Sequence, residues 1–111
     1  MAEITFEEFT QVEIRTGTIL AATLNSKAIK PAYKLIIDFG PFGIKTSSAQ
    51  ITKNYSLESL IGLQITAVLN FPVKRIAGVK SEVLVLGAYS DNKDVVLLTP
   101  SESVEDGSLV G

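Results

Sequence analysis

Residues 33–48 read Tyr33-Lys34-Leu35-Ile36-Ile37-Asp38-Phe39-Gly40-Pro41-Phe42-Gly43-Ile44-Lys45-Thr46-Ser47-Ser48. Tyr33, Leu35, Ile37 and Phe39 alternate with their neighbours and share one face, which predicts a half-buried strand. Gly40-Pro41-Phe42-Gly43 is turn chemistry, and Ile44 to Ser48 returns as a hairpin partner. Upstream, Ile14 to Ala22 reads as a strand in which Gly17 marks a bulge or a tight bend. Residues 23–32 form a loop with Lys27, Lys30 and Pro31. Downstream, Ser56 is a good N-cap for a short helix through Leu57, Leu60 and Ile61, which Gly62 ends. Leu63, Ile65, Ala67 and Leu69 alternate with Gln64, Thr66, Val68 and Asn70 as a fourth strand. Glu82 to Ala88 is a fifth, and Val95 to Leu98 a short sixth.

Three strands, a short helix and two or more further strands follow the order of an all-β, OB-type, five-stranded Greek-key barrel. A small β-sandwich is the alternative. The helix between strands three and four favours the barrel. At the N-terminus, Thr5-Phe6-Glu7-Glu8 has the form of a capping box. It predicts a helix over residues 6–11 that exposes Phe6 and Phe9, a face to be covered by the body of the chain or by a second copy. Thr99 to Gly111 is polar and acidic, an extended edge or a tail.

The 111 residues suit one domain, 1–111. No apolar run is long enough to span a bilayer, so no membrane insertion is expected. The acidic N-terminus lacks a signal-peptide layout, and a cytoplasmic location is the expectation. There is no cysteine and no histidine. Disulfides, thiolate catalysis, Cys-ligated zinc and the commonest general base are thereby excluded. Ser47 and Ser48 have no His partner. A Ser/Lys dyad with Lys45 or Lys53 has no motif behind it. Asp91-Asn92-Lys93-Asp94 is too short for a calcium loop. No phosphate-cradling glycine loop is present. The chain is expected not to be an enzyme and to need no cofactor or metal.

The formal charge of −2 hides a strong segregation. Residues 1–14 hold four acids and no base; residues 15–80 hold nine Lys/Arg and two acids; residues 81–111 hold six acids and one lysine. A local field of this kind steers a ligand whatever the total. OB barrels bind on strands two and three and in the loops after strands one and four. The cations fall there. Lys27 and Lys30 lie in the first loop, Lys34 and Lys45 on strands two and three. Lys74, Arg75 and Lys80 lie in the long connection that begins at Asn70-Phe71-Pro72 and contains no acid before Glu82. Beside them, Ser47, Ser48 and Gln50 offer donors to phosphate, sugar or peptide groups, or else satisfy local turns. The aromatic candidates for base stacking are Tyr33, Phe42, Tyr55 and Phe71, with Tyr33 and Phe71 equally suited to the core. That supply fits a backbone-tracking mode on structured RNA.

Four segments carry a resemblance. They are Ile14-Arg15-Thr16-Gly17-Thr18-Ile19, Lys34 through Gly40, Lys45 through Tyr55 with its Ser47-Ser48-Ala49-Gln50-Ile51 core, and Asn70 through Gly87 with Arg75-Ile76-Ala77-Gly78 and Lys80-Ser81-Glu82-Val83. On these the chain resembles the EMAP II-like tRNA-binding domain family, most closely its stand-alone CsaA-type export-related chaperones. The resemblance covers nearly the whole chain. It implies an OB-fold homodimer without catalytic activity, with N- and C-terminal extensions that build the dimer. It implies tRNA as a partner, and for the CsaA-type branch unfolded precursor proteins and the secretion ATPase. The implied ligand surface is Lys45, Ser47, Ser48 and Gln50 together with Asn70, Arg75, Lys80 and Ser81. Tethered members of the family commonly carry Gly-Met where this chain has Glu82-Val83.

Two functions therefore compete. In the first, Lys45, Lys74, Arg75 and Lys80 meet RNA phosphates while Ser47, Ser48, Gln50 and Asn70 add hydrogen bonds. In the second, the same groove takes extended peptide segments, with Phe71 and Ile76 as apolar contacts.

Overall fold

Strand β1 (Ile14–Leu24) is long enough to serve two neighbours, and the barrel is hung on it. The computed structural model describes residues 1–111. The upper half of β1 pairs antiparallel with β2 (Tyr33–Asp38), from Thr18 opposite Asp38 to Leu24 opposite Tyr33. Its lower half pairs antiparallel with β4 (Gln64–Val68), from Ile14 opposite Val68 to Thr18 opposite Gln64. The register shifts between Ile19 and Ala21, so the bulge lies at Leu20 and not at Gly17. Pairing runs unbroken through Gly17. Gly17 is needed for another reason: a Cβ there would stand 2.6 Å from Phe39 Cδ1 and 2.8 Å from Ile37 Cγ2. Glycine lets the core press directly against the backbone.

β2 continues into β3 (Ile44–Ala49) through a 3-10 turn at Gly40–Phe42, where Gly43 sits at φ +91°. The helix α2 (Leu57–Leu60) follows, its Ser59 N–H donating to the Ser56 cap at 3.2 Å, and Gly62 at φ +83° ends it. β7 (Leu84–Val85) pairs antiparallel with β4. The sheet order is therefore β3-β2-β1-β4-β7, a nearly closed five-stranded barrel of OB type. Ile19, Leu35, Ile37, Phe39, Leu60 and Ile65 are fully buried inside it. The fourth strand was expected to bury only one face. In fact Ile65 through Val68 are all buried, because Leu97, Leu98 and the β7 end cover the second side: Thr66 Oγ1 donates to Leu98 O at 3.1 Å.

One further difference from the sequence reading matters, and one alternative it left open is decided. The expected fifth strand, Glu82 to Ala88, is divided. Leu84–Val85 belongs to the barrel, whereas β8 (Gly87–Tyr89) leaves it to pair with β9 (Val95–Leu97). The acidic C-terminal stretch is an ordered edge. Gly107 N–H donates to Thr16 O at 2.7 Å, Thr16 N–H to Ser108 O at 3.0 Å and Val110 N–H to Ile14 O at 2.9 Å. Asp106 Oδ1 accepts from Thr18 Oγ1 at 2.6 Å and from Gln64 Nε2 at 3.0 Å. Arg15 clamps the same segment: it donates to Gly107 O at 3.1 Å and lies 4.4 Å over the Phe42 ring.

The N-terminal helix α1 (Phe6–Thr10) has the full capping box, with Glu8 N–H donating to Thr5 Oγ1 and Thr5 N–H to Glu8 Oε1, both at 3.1 Å. Glu7 and Glu8 in its first turn also favour that end electrostatically. Phe6 is 73% exposed, whereas Phe9, whose ring lies 6.4 Å away, is half-buried, so only the Phe6 part of the expected face is open. None of the helices is long and apolar enough to cross a membrane.

Candidate nucleic-acid interface

The connection after β4 is an ordered hairpin and not an open loop. β5 (Lys74–Ile76) pairs with β6 (Val79–Ser81) through a two-residue turn, Ala77 at φ +49° and Gly78 at φ +83°. Positive φ at both central residues is the geometry that matches strand twist in tight hairpins. Gly78 adopts it freely; Ala77 does so under strain. The β1–β2 loop meets this tip, where a Cβ on Gly78 would lie 3.9 Å from Lys27 Cδ.

β3 holds the hairpin to the barrel, mostly through side chains. Thr46 Oγ1 donates to Lys80 O, Glu82 N–H donates to Thr46 O at 2.8 Å and Thr46 N–H donates to Glu82 Oε1 at 3.1 Å. Ser48 N–H donates to Ser81 Oγ at 3.1 Å. Ser47 closes the barrel from inside: its hydroxyl donates to Val83 O at 2.9 Å, and the residue is only 1% exposed. Of the candidate donors, Ser47 is therefore taken up by the fold and unavailable to a ligand. Asn70 is also committed, though on the surface. Its Oδ1 accepts from Glu13 N–H at 2.9 Å and its Nδ2 donates to Gln11 O, fixing the segment after α1.

Period-two alternation splits the remaining candidates between two faces of the hairpin. Lys74, Ile76 and Ser81 line a groove of about 340 Å³ together with Ser48 and Phe71. The groove is completed by Pro72, Glu82, Val83 and Leu84, which the sequence reading did not single out. Arg75 and Lys80 stand directly opposite each other on the other register of the same hairpin and do not line the groove. Lys45 is paired with Ile37 on the inward parity of β3, half-buried, away from the groove. Gln50 is exposed and lines two adjoining clefts.

The electrostatics set this surface apart. Only Arg15, at 3.2 Å from Glu13, and Lys53, at 3.8 Å from Asp94, have a carboxylate partner. Lys74, Arg75 and Lys80 have none, and neither do Lys27, Lys30, Lys34, Lys45 and Lys93; what distinguishes the hairpin is that Arg75 and Lys80 face each other. Like charges directly opposite on a strand pair destabilise it. The Arg75–Lys80 pair is thus an uncompensated positive tip, on a barrel in which no buried side-chain nitrogen or oxygen lacks a partner. Of the aromatic candidates, Tyr33 and Tyr55 are internal, with Tyr33 Oη donating to Tyr55 O at 2.8 Å and Leu97 N–H donating to Tyr55 Oη at 2.9 Å. Phe42 carries Arg15 over one ring face yet is 39% exposed, and Phe71 is 50% exposed. Tyr89, 79% exposed, was missed; it sits where the apolar run 83–89 gives way to the turn Ser90-Asp91-Asn92-Lys93.

Fold and surface together define an OB barrel with a basic hairpin over a partly apolar groove. The family model described as "Putative tRNA binding domain" matches residues 14–109, and the chain belongs to that family. Within it the chain falls with the CsaA proteins. It is 51% identical to the chaperone CsaA of Bacillus anthracis, with a TM-score of 0.94 and coverage of 99% of this chain and 100% of that one. It is 49% identical to the CsaA chaperone protein of Picrophilus torridus, with a TM-score of 0.91 over 98% and 100%. It is also 37% identical over 108 residues to the methionine–tRNA ligase of Archaeoglobus fulgidus, covering 97% of this chain. The match spans only 16% of that ligase's length.

Proposed function

We propose that this protein is a non-catalytic tRNA-binding module that grips structured RNA by its backbone. The observation that carries the reading is the Arg75–Lys80 tip, two cations held face to face with no acid partner. Such a pair costs stability unless a polyanion neutralises it. Lys74 adds a third cation at the groove margin, half-buried Ser48 lines the same groove, and exposed Gln50 lines the adjoining cleft. Membership of the tRNA-binding domain family supports the same reading. The test is tRNA affinity at two salt concentrations. Arg75→Ala is expected to weaken binding and to lower the slope of log affinity against log salt by about one counterion. An unchanged slope overturns the phosphate role of Arg75.

A second reading rests on a different feature. The groove under the hairpin is lined by Phe71, Pro72, Ile76, Val83 and Leu84, an apolar surface suited to an extended peptide. The CsaA relatives are named chaperones, which supports capture of unfolded segments; the family resemblance adds precursor proteins and the secretion ATPase as proposed partners. Ile76→Asp is expected to abolish peptide capture while leaving tRNA affinity largely intact. Under both readings the protein works as a homodimer in the cytoplasm. The exposed Phe6 and the C-terminal edge beside β1 would provide the apolar and strand surfaces for a second copy. A dimer presents two RNA surfaces and gains avidity. Phe6→Ser is expected to shift the sedimentation profile toward monomer.

A further inference from the structure

We infer that the groove is a track for an unpaired RNA segment, running from Phe71 and Lys74 at one end to a second phosphate site at Lys30, Lys53 and Lys93, with Tyr89 as its stacking platform. This rests on the RNA reading above and names the part of the RNA that the groove takes.

Three clefts adjoin. The hairpin groove shares Ser48 with a cleft of about 420 Å³ between β3 and the β7–β8 segment. That cleft shares Gln50, Lys93 and Val95 with a third, of about 310 Å³. The path leads from one basic end to the other over an apolar floor that includes Ile51, Leu84 and Leu97. Exposed aromatics stand at its start and midway along it: Phe71 lines the first cleft and Tyr89 the second. Single strands are gripped in this way, by rings under the bases and cations along the backbone.

The third cleft is a built cation cluster. Lys30 comes from the β1–β2 loop, Lys53 from the turn after β3 and Lys93 from the β8–β9 turn. Asp94 is the only acid lining it and engages Lys53 at 3.8 Å, which leaves Lys30 and Lys93 without a partner. Lys93 sits at φ +62°, a left-handed position that favours glycine or asparagine. The turn is held by Lys93 N–H donating to Ser90 O and Ser90 N–H donating to Asp94 O, both at 2.8 Å. A lysine kept in a strained backbone position beside an open cationic cleft points to a functional use of its charge. Duplex RNA cannot offer its paired bases to Phe71 and Tyr89, so use of both rings requires an unpaired strand. The hairpin's outer register, Arg75 and Lys80, remains for the paired body.

The test compares a labelled single-stranded RNA hexanucleotide with a blunt RNA hairpin, using the full chain. Barrels of this kind occupy about 4–16 nucleotides, so a hexamer suffices. Tyr89→Ala is expected to weaken hexamer binding by about 5-fold or more. Lys30→Ala/Lys93→Ala is expected to flatten its salt dependence. Neither change moves binding of the blunt hairpin, whereas Arg75→Ala does. Thermal melting confirms that each variant folds. If tRNA binds but hexamer affinity and salt slope are unmoved in both variants, the track is overturned and the RNA reading stands. If Tyr89→Ala instead impairs only capture of an extended apolar peptide, the track is overturned in favour of the peptide. If neither tRNA nor hexamer binds the wild type, both readings fall.

Discussion

The two hairpins of this barrel are built to opposite ends. In the β2–β3 hairpin, Tyr33, Leu35, Ile37 and Phe39 are buried in a row, and six residue pairs hold the strands. The β5–β6 hairpin has three pairs, every residue of β5 is exposed, one pair sets Arg75 against Lys80, and its turn strains Ala77. It survives because β3 reaches across with Thr46 and Ser48 to hold it. Burial stabilises the first hairpin; the second borrows its stability and is left with charge to spend on a ligand. Elements that bind are drawn from the weakly packed end of a fold in this way.

The contrast is sharpened by substitutions that strike one hairpin and spare the other. The largest effect is expected for Phe39→Ala, which empties the centre of the core and should lower stability by about 3–5 kcal/mol in a denaturant titration. Gly17→Ala attacks the same contact from the backbone side. Its methyl would overlap the Phe39 ring, for an expected loss of about 1–3 kcal/mol. Ser47→Ala removes the hydroxyl that closes the barrel and strands a buried carbonyl at Val83, an expected loss of about 1–3 kcal/mol. If Ser47→Ala melted like the wild type and lost only RNA affinity, the serine would belong to the ligand surface after all. At the small end, Ala77→Asn should raise stability by less than about 1 kcal/mol, because asparagine tolerates the left-handed turn position. A loss of stability there would contradict the strain assigned to the turn.

How much of this was legible in the sequence follows the same divide. The β2–β3 hairpin, both helix caps and the OB order could be read because each rests on local chemistry: alternation, turn glycines, Ser and Thr caps. The resemblance agreed with them. The division of 82–88 into two strands could not be read. A run apolar on both sides carries no period, and the break is set by which neighbour, β4 or β9, each half meets. The candidate site was legible as a composition of cations and hydroxyls but not as a geometry. Thr46, Ser47 and Ser48 look alike in sequence. Only the closure of β3 against residues 80–83 shows that Ser47 faces inward while Ser48 lines the groove. For the C-terminal stretch the sequence left an extended edge and a tail open, since its acids look equally like a solubilising tail until Asp106 is seen accepting from Thr18 and Gln64.

The central claim is that the β5–β6 tip carries charge for a polyanion and contributes little to the fold. The most direct measurement is the salt dependence of tRNA binding for the wild type and for Arg75→Ala/Lys80→Ala, with thermal melting on the same samples. The account predicts weaker binding, a slope reduced by about two counterions, and a melting temperature unchanged or slightly raised by relief of the like-charge pair. An unchanged affinity and slope, or a marked fall in melting temperature, would contradict it.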